Sequence, residues 1–252
     1  MSEAWQLPLL FGTGLVAGFV DSIAGGGGLI SLPVLLNLGF DPALALGTNK
    51  LQGAFGSGSA SWHYARAGTV DVRDCVRGFI ISFLAAGVGS AVVVRLHPDF
   101  LRRLIPILLV VVAVYVLLKP QLGAKDVHPR MTRPRFDVLF GLALGFYDGF
   151  FGPGAGTFWT MAFMLGLGFN MTKATGYTKI MNFASNLASL AFFLVNGRVV
   201  FAAGLAMGAG QWLGAQAGSR LVVRRGTGFI RPVFIAVVLV MTGRLLWQAY
   251  GK

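Results

Sequence analysis

The sequence predicts an all-α integral membrane protein built from two homologous helical modules, each opening with a helix that glycines interrupt. One observation is composition: 55% of the residues are hydrophobic and 12% are charged, whereas soluble domains carry about 25% charged residues. The apolar residues also form about eight long runs, without the alternation that barrel strands require. Finally, the second half of the chain repeats the pattern of the first.

The candidate spans follow one another along both halves, and most offer the roughly 20 residues that a crossing helix needs once small residues are counted. In chain order they are Leu7–Val20 with Leu29–Phe40, Leu51–Tyr64, Val76–Val94, Leu104–Leu118, Phe136–Phe151 with Thr157–Phe169, Ile180–Val195, Val199–Val223 and Phe229–Trp247. The leader Met1-Ser2-Glu3 contains no Lys or Arg, so we expect the first segment to be a retained helix.

The net charge of +12 lies mostly in the connections between these spans, as is typical of charges that set membrane orientation. No stretch combines dense basic residues with exposed aromatic residues, so the charge does not indicate nucleic-acid binding. The single cysteine, Cys75, excludes a disulfide within the chain.

The internal repeat is clearest at an offset of 129 residues. Residues 89–102 and 218–231 share seven identities in fourteen positions, and Gly47-Thr48-Asn49-Lys50 aligns with Gly176-Tyr177-Thr178-Lys179. This alignment predicts a first transmembrane repeat at residues 1–118 and a second at 136–252. The polar segment 119–135 contains three prolines and five basic residues, as a connecting loop would.

The distribution of basic residues bears on whether the two repeats are parallel or inverted. With four crossings per module, Lys and Arg divide ten to eleven between the two sides and predict no orientation. If each broken first segment instead enters and returns on one side, leaving three crossings, they divide 14 to 7. We therefore favour inverted repeats with the central loop in the cytoplasm and both termini outside.

Each module contains a glycine block, Gly25-Gly26-Gly27-Gly28 in the first and Gly152-Pro153-Gly154-Ala155-Gly156 in the second. Glycine and proline do not sustain a helix, and backbone groups freed in hydrocarbon must line a polar cavity or be buried in protein. Half-helices starting at Leu29 and Thr157 would direct free amides and positive dipole ends toward a central cavity, which favours an anion. The alternative is that the glycines only allow close helix packing.

Two aspartates, Asp21 and Asp148, precede the glycine blocks at equivalent positions and are the only acidic residues well inside apolar segments. An ionisable group in the membrane costs several kcal/mol unless it faces water or a partner, which makes it a candidate for proton coupling or gating. The alternative is a structural role, in which each carboxylate caps the broken helix ends or pairs with a basic residue.

Two lysines, Lys50 and Lys179, follow the glycine blocks at equivalent positions and could complete an oxyanion site. Neutral hydrogen-bonding side chains flank them in both modules and are further candidates: Thr48, Asn49, Gln52, Tyr177, Thr178 and Asn182. The alternative is that the lysines reach toward a membrane interface.

The sequence does not indicate an enzyme or a cofactor. The three histidines His63, His97 and His128 lack the spacing of metal ligands. No HExxH, GxSxG or Walker-type lysine motif occurs, which argues against a membrane protease, a serine hydrolase and an ATP-driven pump.

With the glycine blocks, the Gly-Thr-Asn-Lys segment and the repeated Gly-Ser-x-x-Val-Val-Arg, the sequence resembles the TauE/SafE family of sulfite and organosulfonate exporters over essentially its whole length. Gly18–Asp71 and Gly145–Arg198 resemble the paired signature regions of that family. The resemblance implies a multipass inner-membrane transporter for small sulfur-containing anions such as sulfite, sulfoacetate or thiosulfate. It also implies a substrate role for both glycine blocks, Asn49-Lys50 and Thr178-Lys179.

The two halves differ at these positions, since Pro153 stands opposite Gly26 and Thr178 opposite Asn49, so a strictly two-fold site is doubtful. We expect a secondary transporter that exports a small anion by coupling to an ion or proton gradient, with the lipid bilayer as its surroundings. A passive anion channel and a membrane-embedded assembly or scaffold factor are the alternatives. The sequence leaves the substrate, coupling ion and oligomeric state open.

Overall fold

The computed structural model describes residues 6–97, 99–101, 104, 107 and 125–226, and this part of the chain is helical and free of strands. Eight α-helices lie within it. In chain order they are α1 (Gln6–Ala24), α2 (Gly27–Asn37), α3 (Pro42–Arg66), α4 (Val76–Val94), α5 (Arg133–Phe150), α6 (Ala155–Leu167), α7 (Met171–Val195) and α8 (Phe201–Arg225). A short 3-10 turn at Arg73–Cys75 leads into α4.

The helices follow the same order in both halves: a helix, a glycine break, a short helix, and two longer helices. This order is the one expected from a duplication, although the division into repeats and their inverted relation stay predictions. The predicted spans Leu104–Leu118 and Phe229–Trp247 lie outside the described residues, apart from Leu104 and Ile107.

Two helices start earlier than the sequence predicts. The predicted spans Leu51–Tyr64 and Ile180–Val195 began where hydropathy rises, but α3 begins at Pro42 and α7 at Met171. The carboxylate of Asp41 accepts a hydrogen bond from the Ala43 amide, and the side chain of Asn170 accepts one from the Lys173 amide. These N-caps fix the starts, so both lysine segments lie within helices and not before them.

The glycine breaks have a conformational cause. Gly25 ends α1 with a φ of 82°, and Gly152 and Gly154 connect α5 to α6 with φ values of 94° and 81°. These left-handed conformations suit glycine because it has no Cβ. The short helices begin at Gly27 and Ala155, two residues before the predicted starts at Leu29 and Thr157.

The two halves are packed into each other. Helix α1 lies against α8, and α4 lies against α5, so the first helix of each half packs on the fourth described helix of the other. Helix α3 contacts both α7 and α8, and α7 contacts α4. The largest buried cluster is centred on Trp159, Phe163 and Tyr177, and a second contains Leu32 and Phe193.

The outer surface of this bundle is apolar, as a membrane protein requires. Three helical segments of the described chain are long and apolar enough to cross a bilayer: Gln6–Ala24, Arg73–Val94 and Met171–Val195. Exposed leucines and valines on α4 and α5, among them Leu84 and Leu139, provide a lipid-compatible face. The helical membrane fold predicted from composition is therefore confirmed.

Glycines make the close approach of α1 and α8 possible. A Cβ on Gly14 would lie 2.1 Å from the Met207 carbonyl oxygen, and one on Gly214 would lie 2.0 Å from that of Leu15. Gly12, on the same helix, has no atom within 4 Å of the corresponding position.

We expect Gly14→Ala to destabilise the protein by about 1–3 kcal/mol, because the added methyl group must push the two backbones apart. Thermal unfolding of the purified protein in detergent measures the effect, and Gly12→Ala is the matched control. If both substitutions give the wild-type unfolding temperature, the described contact between α1 and α8 is wrong.

Candidate functional site

The two glycine breaks meet inside the bundle. A Cβ on Gly25 would lie 2.4 Å from the carbonyl carbon of Gly156, so the backbones of the two breaks touch where glycine alone fits. The hydroxyl of Thr157 donates a hydrogen bond of 3.1 Å to the carbonyl oxygen of Ala24 and joins the breaks further. The end of α1 and the start of α6 are thereby held against each other.

A polar cavity of about 40 Å³ lies beside this junction. Volume of this order accommodates a water molecule or two, so a larger guest requires the site to open. Residues from both halves line the cavity: Asp21, Gly25, Gly28, Asn49, Lys50, Gln52, Gly53, Asp148, Gly152, Gly154, Gly156, Asn182, Asn186 and Gln211.

Two ion pairs connect the halves at this cavity. Lys50 of α3 donates to Oδ1 of Asp148 of α5 at 2.7 Å and also contacts the Asp148 carbonyl oxygen. Lys179 of α7 donates to Oδ2 of Asp21 of α1 at 2.8 Å. The pairing is reciprocal, because the lysine of each half is bound to the aspartate of the other half.

The second oxygen of each carboxylate is also bound. Oδ2 of Asp148 accepts a hydrogen bond from the side-chain amide of Asn182 at 3.0 Å, and Oδ1 of Asp21 accepts one from the Gly27 amide at 3.1 Å. Buried charges need such additional partners to offset the loss of hydration. In this state the lysines are therefore bound to aspartate and are not the free anion ligands that the sequence suggests.

Burial distinguishes the two pairs. The side chains of Lys50 and Asp148 are 2% and 4% exposed, whereas Asp21 is 22% exposed beside a fully buried Lys179. Gly152 leaves room for the Lys50–Asp148 pair, because a Cβ there would lie 2.9 Å from Nζ of Lys50. The Lys50–Asp148 pair is thus sealed from solvent, and the Lys179–Asp21 pair is partly accessible.

Part of the predicted array of free amides is used within the fold. The Gly27 amide is bound to Asp21, and the amides of Ala155 and Thr157 donate to the carbonyl oxygens of Gly152 and Gly154. The positive dipole ends of α2 and α6 remain beside the cavity, because the second residue of each helix, Gly28 and Gly156, lines it. The Leu29 amide is also bound, to the carbonyl oxygen of Gly26, so the expectation of free amides is wrong at both predicted half-helix starts, Leu29 and Thr157.

Seven residues predicted for the site do not line the cavity. Gly27 and Lys179 bind Asp21, which itself lines the cavity. Gly26 binds the Leu29 amide through its carbonyl oxygen, and Pro153 packs against Gly28.

The other three, Thr48, Tyr177 and Thr178, have partners of their own. The hydroxyl of Thr178 is 3.1 Å from that of Thr160, and the hydroxyl of Thr48 accepts a hydrogen bond from the Val200 amide. The guanidinium carbon of Arg133 lies over the ring of Tyr177, 5.1 Å from the ring centre.

Three cavity residues were not predicted: Gly53, Asn186 and Gln211. The sequence does contain a signal for Gln211, since it is the one carboxamide within the apolar run Phe201–Gly214. Asn186 and Gly53 lie on α7 and α3, the same helices that carry the lysines. Their contribution depends on how the halves pack, which local patterns do not reveal.

Comparisons with known proteins match the chain to one family and to several probable membrane transporters. The family described as sulfite exporter TauE/SafE matches residues 10–245. A probable membrane transporter protein of Escherichia coli K12, YfcA, is 43% identical over 246 residues, covering 98% of this chain and 91% of that protein.

Two further relatives are similar to the same extent. ORF9 of a Sinorhizobium species, also called a probable membrane transporter protein, is 43% identical over 95% of this chain and 92% of its own. A probable membrane transporter protein of Haemophilus influenzae is 42% identical over 96% and 95% of the two chains. No solved structure gives a significant match.

The sealed pair generates a stability prediction. Lys50→Met leaves a buried carboxylate without its cation, so we expect a loss of about 3–5 kcal/mol in unfolding free energy. Combining it with Asp148→Asn should restore most of that loss, because the unpaired charge is removed. Denaturant or thermal unfolding in detergent measures both variants.

The matched control for this prediction is Lys173→Met. Lys173 is 36% exposed and 3.9 Å from Asp126, so its loss should cost about 0–1 kcal/mol. A Lys50→Met variant as stable as this control would contradict the assignment of a sealed ion pair.

Proposed function

Because the chain belongs to the sulfite exporter TauE/SafE family, we propose that it is a multipass secondary transporter that exports a small sulfur-containing anion across the inner membrane. Sulfite and compact organosulfonates are the substrates we propose. The family description and the transporter names of its relatives support this function. The observation that carries it is the reciprocal pairing of two lysines and two aspartates around a cavity between two helix breaks.

The charge of the site explains how an anion could be coupled to a proton. Two lysines and two aspartates cancel, so the closed cavity is neutral. A monoanion entering it adds one negative charge, which is costly in a dehydrated interior. Protonation of one aspartate restores neutrality, so we propose that one proton accompanies each monoanion.

The same step provides the binding group. An aspartate that takes up a proton no longer holds its lysine as an ion pair, and the released ammonium is free to bind the anion. The dipole ends of α2 and α6 and the amide of Asn182 lie around the same space. Anion and proton then bind cooperatively, because each favours the state that the other needs.

The difference in burial suggests an order. Asp21 is 22% exposed and Asp148 is 4% exposed, so we propose that the Asp21–Lys179 pair opens first. The sealed Lys50–Asp148 pair opens when the halves rearrange toward the other side of the membrane. Outward flux then follows from an excess of anion in the cytoplasm.

Reconstituted vesicles test the substrate and the site together. We expect flux of sulfite, and Lys50→Met or Lys179→Met should weaken sulfite binding at least tenfold, about 1.4 kcal/mol, by removing the cationic ligand. Lys173→Met is the control, with wild-type binding.

Three results would contradict the proposal. Unchanged sulfite binding in both lysine variants would remove the site assignment. Anion current that reverses with the ion gradient and ignores the proton gradient would identify a channel. Absence of flux for sulfite, thiosulfate, sulfoacetate and a carboxylate, together with a stably bound protein partner, would identify an assembly or scaffold factor.

Proton coupling is tested by Asp21→Asn and Asp148→Asn, which imitate the protonated carboxyl. We expect both variants to retain sulfite binding but to lose sulfite-driven proton movement, measured with a pH-sensitive dye inside the vesicles. The control is Asp137→Asn, which neutralises a buried acid that does not line the cavity. The carboxylate of Asp137 accepts a hydrogen bond of 2.9 Å from Arg133. Proton movement that persists in both cavity variants would show that neither aspartate carries the proton.

A further inference from the structure

Gln211 differs from every other polar side chain that lines the cavity. Its relative exposure is 2%, and within the described part of the chain its side-chain oxygen Oε1 is buried without a hydrogen-bond partner. The other polar lining residues each form at least one side-chain hydrogen bond, as Gln52 does with Asn49 at 2.7 Å and Asn186 with Ser57 at 3.2 Å. Gln211 is therefore the polar group that the closed fold leaves unused.

The surroundings of Gln211 show that the fold makes space for it. A Cβ on Gly18 of α1 would lie 2.7 Å from its Oε1, and one on Gly56 of α3 would lie 2.2 Å from the same atom. Glycines on two neighbouring helices thus form a crevice for the carboxamide. With its oxygen in that crevice, the amide nitrogen is the donor left for the cavity.

An unpartnered buried carboxamide is costly. A buried polar group without a hydrogen bond destabilises the folded state relative to its hydrated form, and a methionine of similar shape would avoid that cost. Buried polar groups in folded proteins normally have partners, so a side chain kept at this cost indicates a role beyond packing, namely binding a ligand in the cavity through its amide nitrogen. The position beside the cavity and the two ion pairs indicates where that ligand lies.

We propose that Gln211 donates a hydrogen bond to an oxygen of the transported anion, and this rests on the proposed function. A neutral donor is suited to the site because it binds an oxyanion without disturbing the charge balance of the lysines and aspartates. A released lysine binds one oxygen of the anion, and Gln211 binds another. The preferred substrate class is therefore an anion with several oxygens.

Among the described residues, the first half does not place a cavity-lining donor at the position equivalent to Gln211. At the offset of 129 residues the position equivalent to Gln211 is Ser82, whose hydroxyl lies 3.8 Å from the sulfur of Met181 and does not line the cavity. Gln211 thus binds the anion from the side of α8. The binding site is therefore asymmetric between the two halves, although the ion pairs are reciprocal.

Sulfite binding to the purified full-length chain tests this inference, with thermal unfolding measured on the same samples. We expect Gln211→Met to weaken sulfite binding about tenfold, the effect of one hydrogen bond to a charged group. The unfolding temperature should stay the same or rise, because an unsatisfied polar group is removed. Gln216→Met, on the same helix outside the cavity, should match the wild type in both measurements.

A second variant covers the case in which methionine disturbs the packing. Gln211→Glu keeps the shape of the side chain but repels an anion when ionised, so we expect weak sulfite binding that recovers on acidification. Wild-type sulfite affinity in both variants would overturn the inference while leaving the proposed function intact. A loss of affinity together with a lowered unfolding temperature in both would assign Gln211 a structural role and also overturn it.

Failure of the proposed function gives a different result. In that case the folded wild-type chain and Gln216→Met themselves bind no sulfite, and the role of Gln211 is rejected with it.

Discussion

An ionised side chain inside a membrane protein needs a partner of opposite charge, and much of this structure follows from that requirement. Asp148 is almost fully buried and Asp21 is mostly buried, and each is neutralised by a lysine from the other half of the chain. The pairing requires α1, α3, α5 and α7 to meet, so it determines where the helices carrying these groups can lie. The ion pairs that hold the two halves together are thereby formed by the same four side chains to which we assign the proposed function.

The glycine breaks make that arrangement sterically possible. Gly25 and Gly156 bring two backbones into direct contact, and Gly152 leaves room for the ammonium group of Lys50. A side chain at Gly25 or Gly156 would clash with the facing backbone and separate the two breaks. The two interpretations of the glycines, close packing and a polar site, are therefore compatible, since the packing creates the cavity.

Much of the fold could be predicted from the sequence because its signals are local: apolar runs, glycine blocks, and the equivalent positions of Asp21 and Asp148. The pairing of each lysine with the opposite half could not, because side chains 98 and 158 residues apart meet only through tertiary packing. The starts of α3 and α7 were missed because the caps Asp41 and Asn170 lie outside the apolar runs. Gln211 was missed because a lone carboxamide in an apolar run marks a buried polar group but does not show which residues of other helices surround it.

The exchange of helices between the halves has a consequence for biosynthesis. Because α1 packs on α8 and α4 packs on α5, the first half leaves the ribosome with faces whose partners have not yet been translated. These faces, and the unneutralised Asp21, must be kept from wrong associations until the second half is inserted. The packing of α1 and α4 can consequently be completed only after the second half has been synthesised.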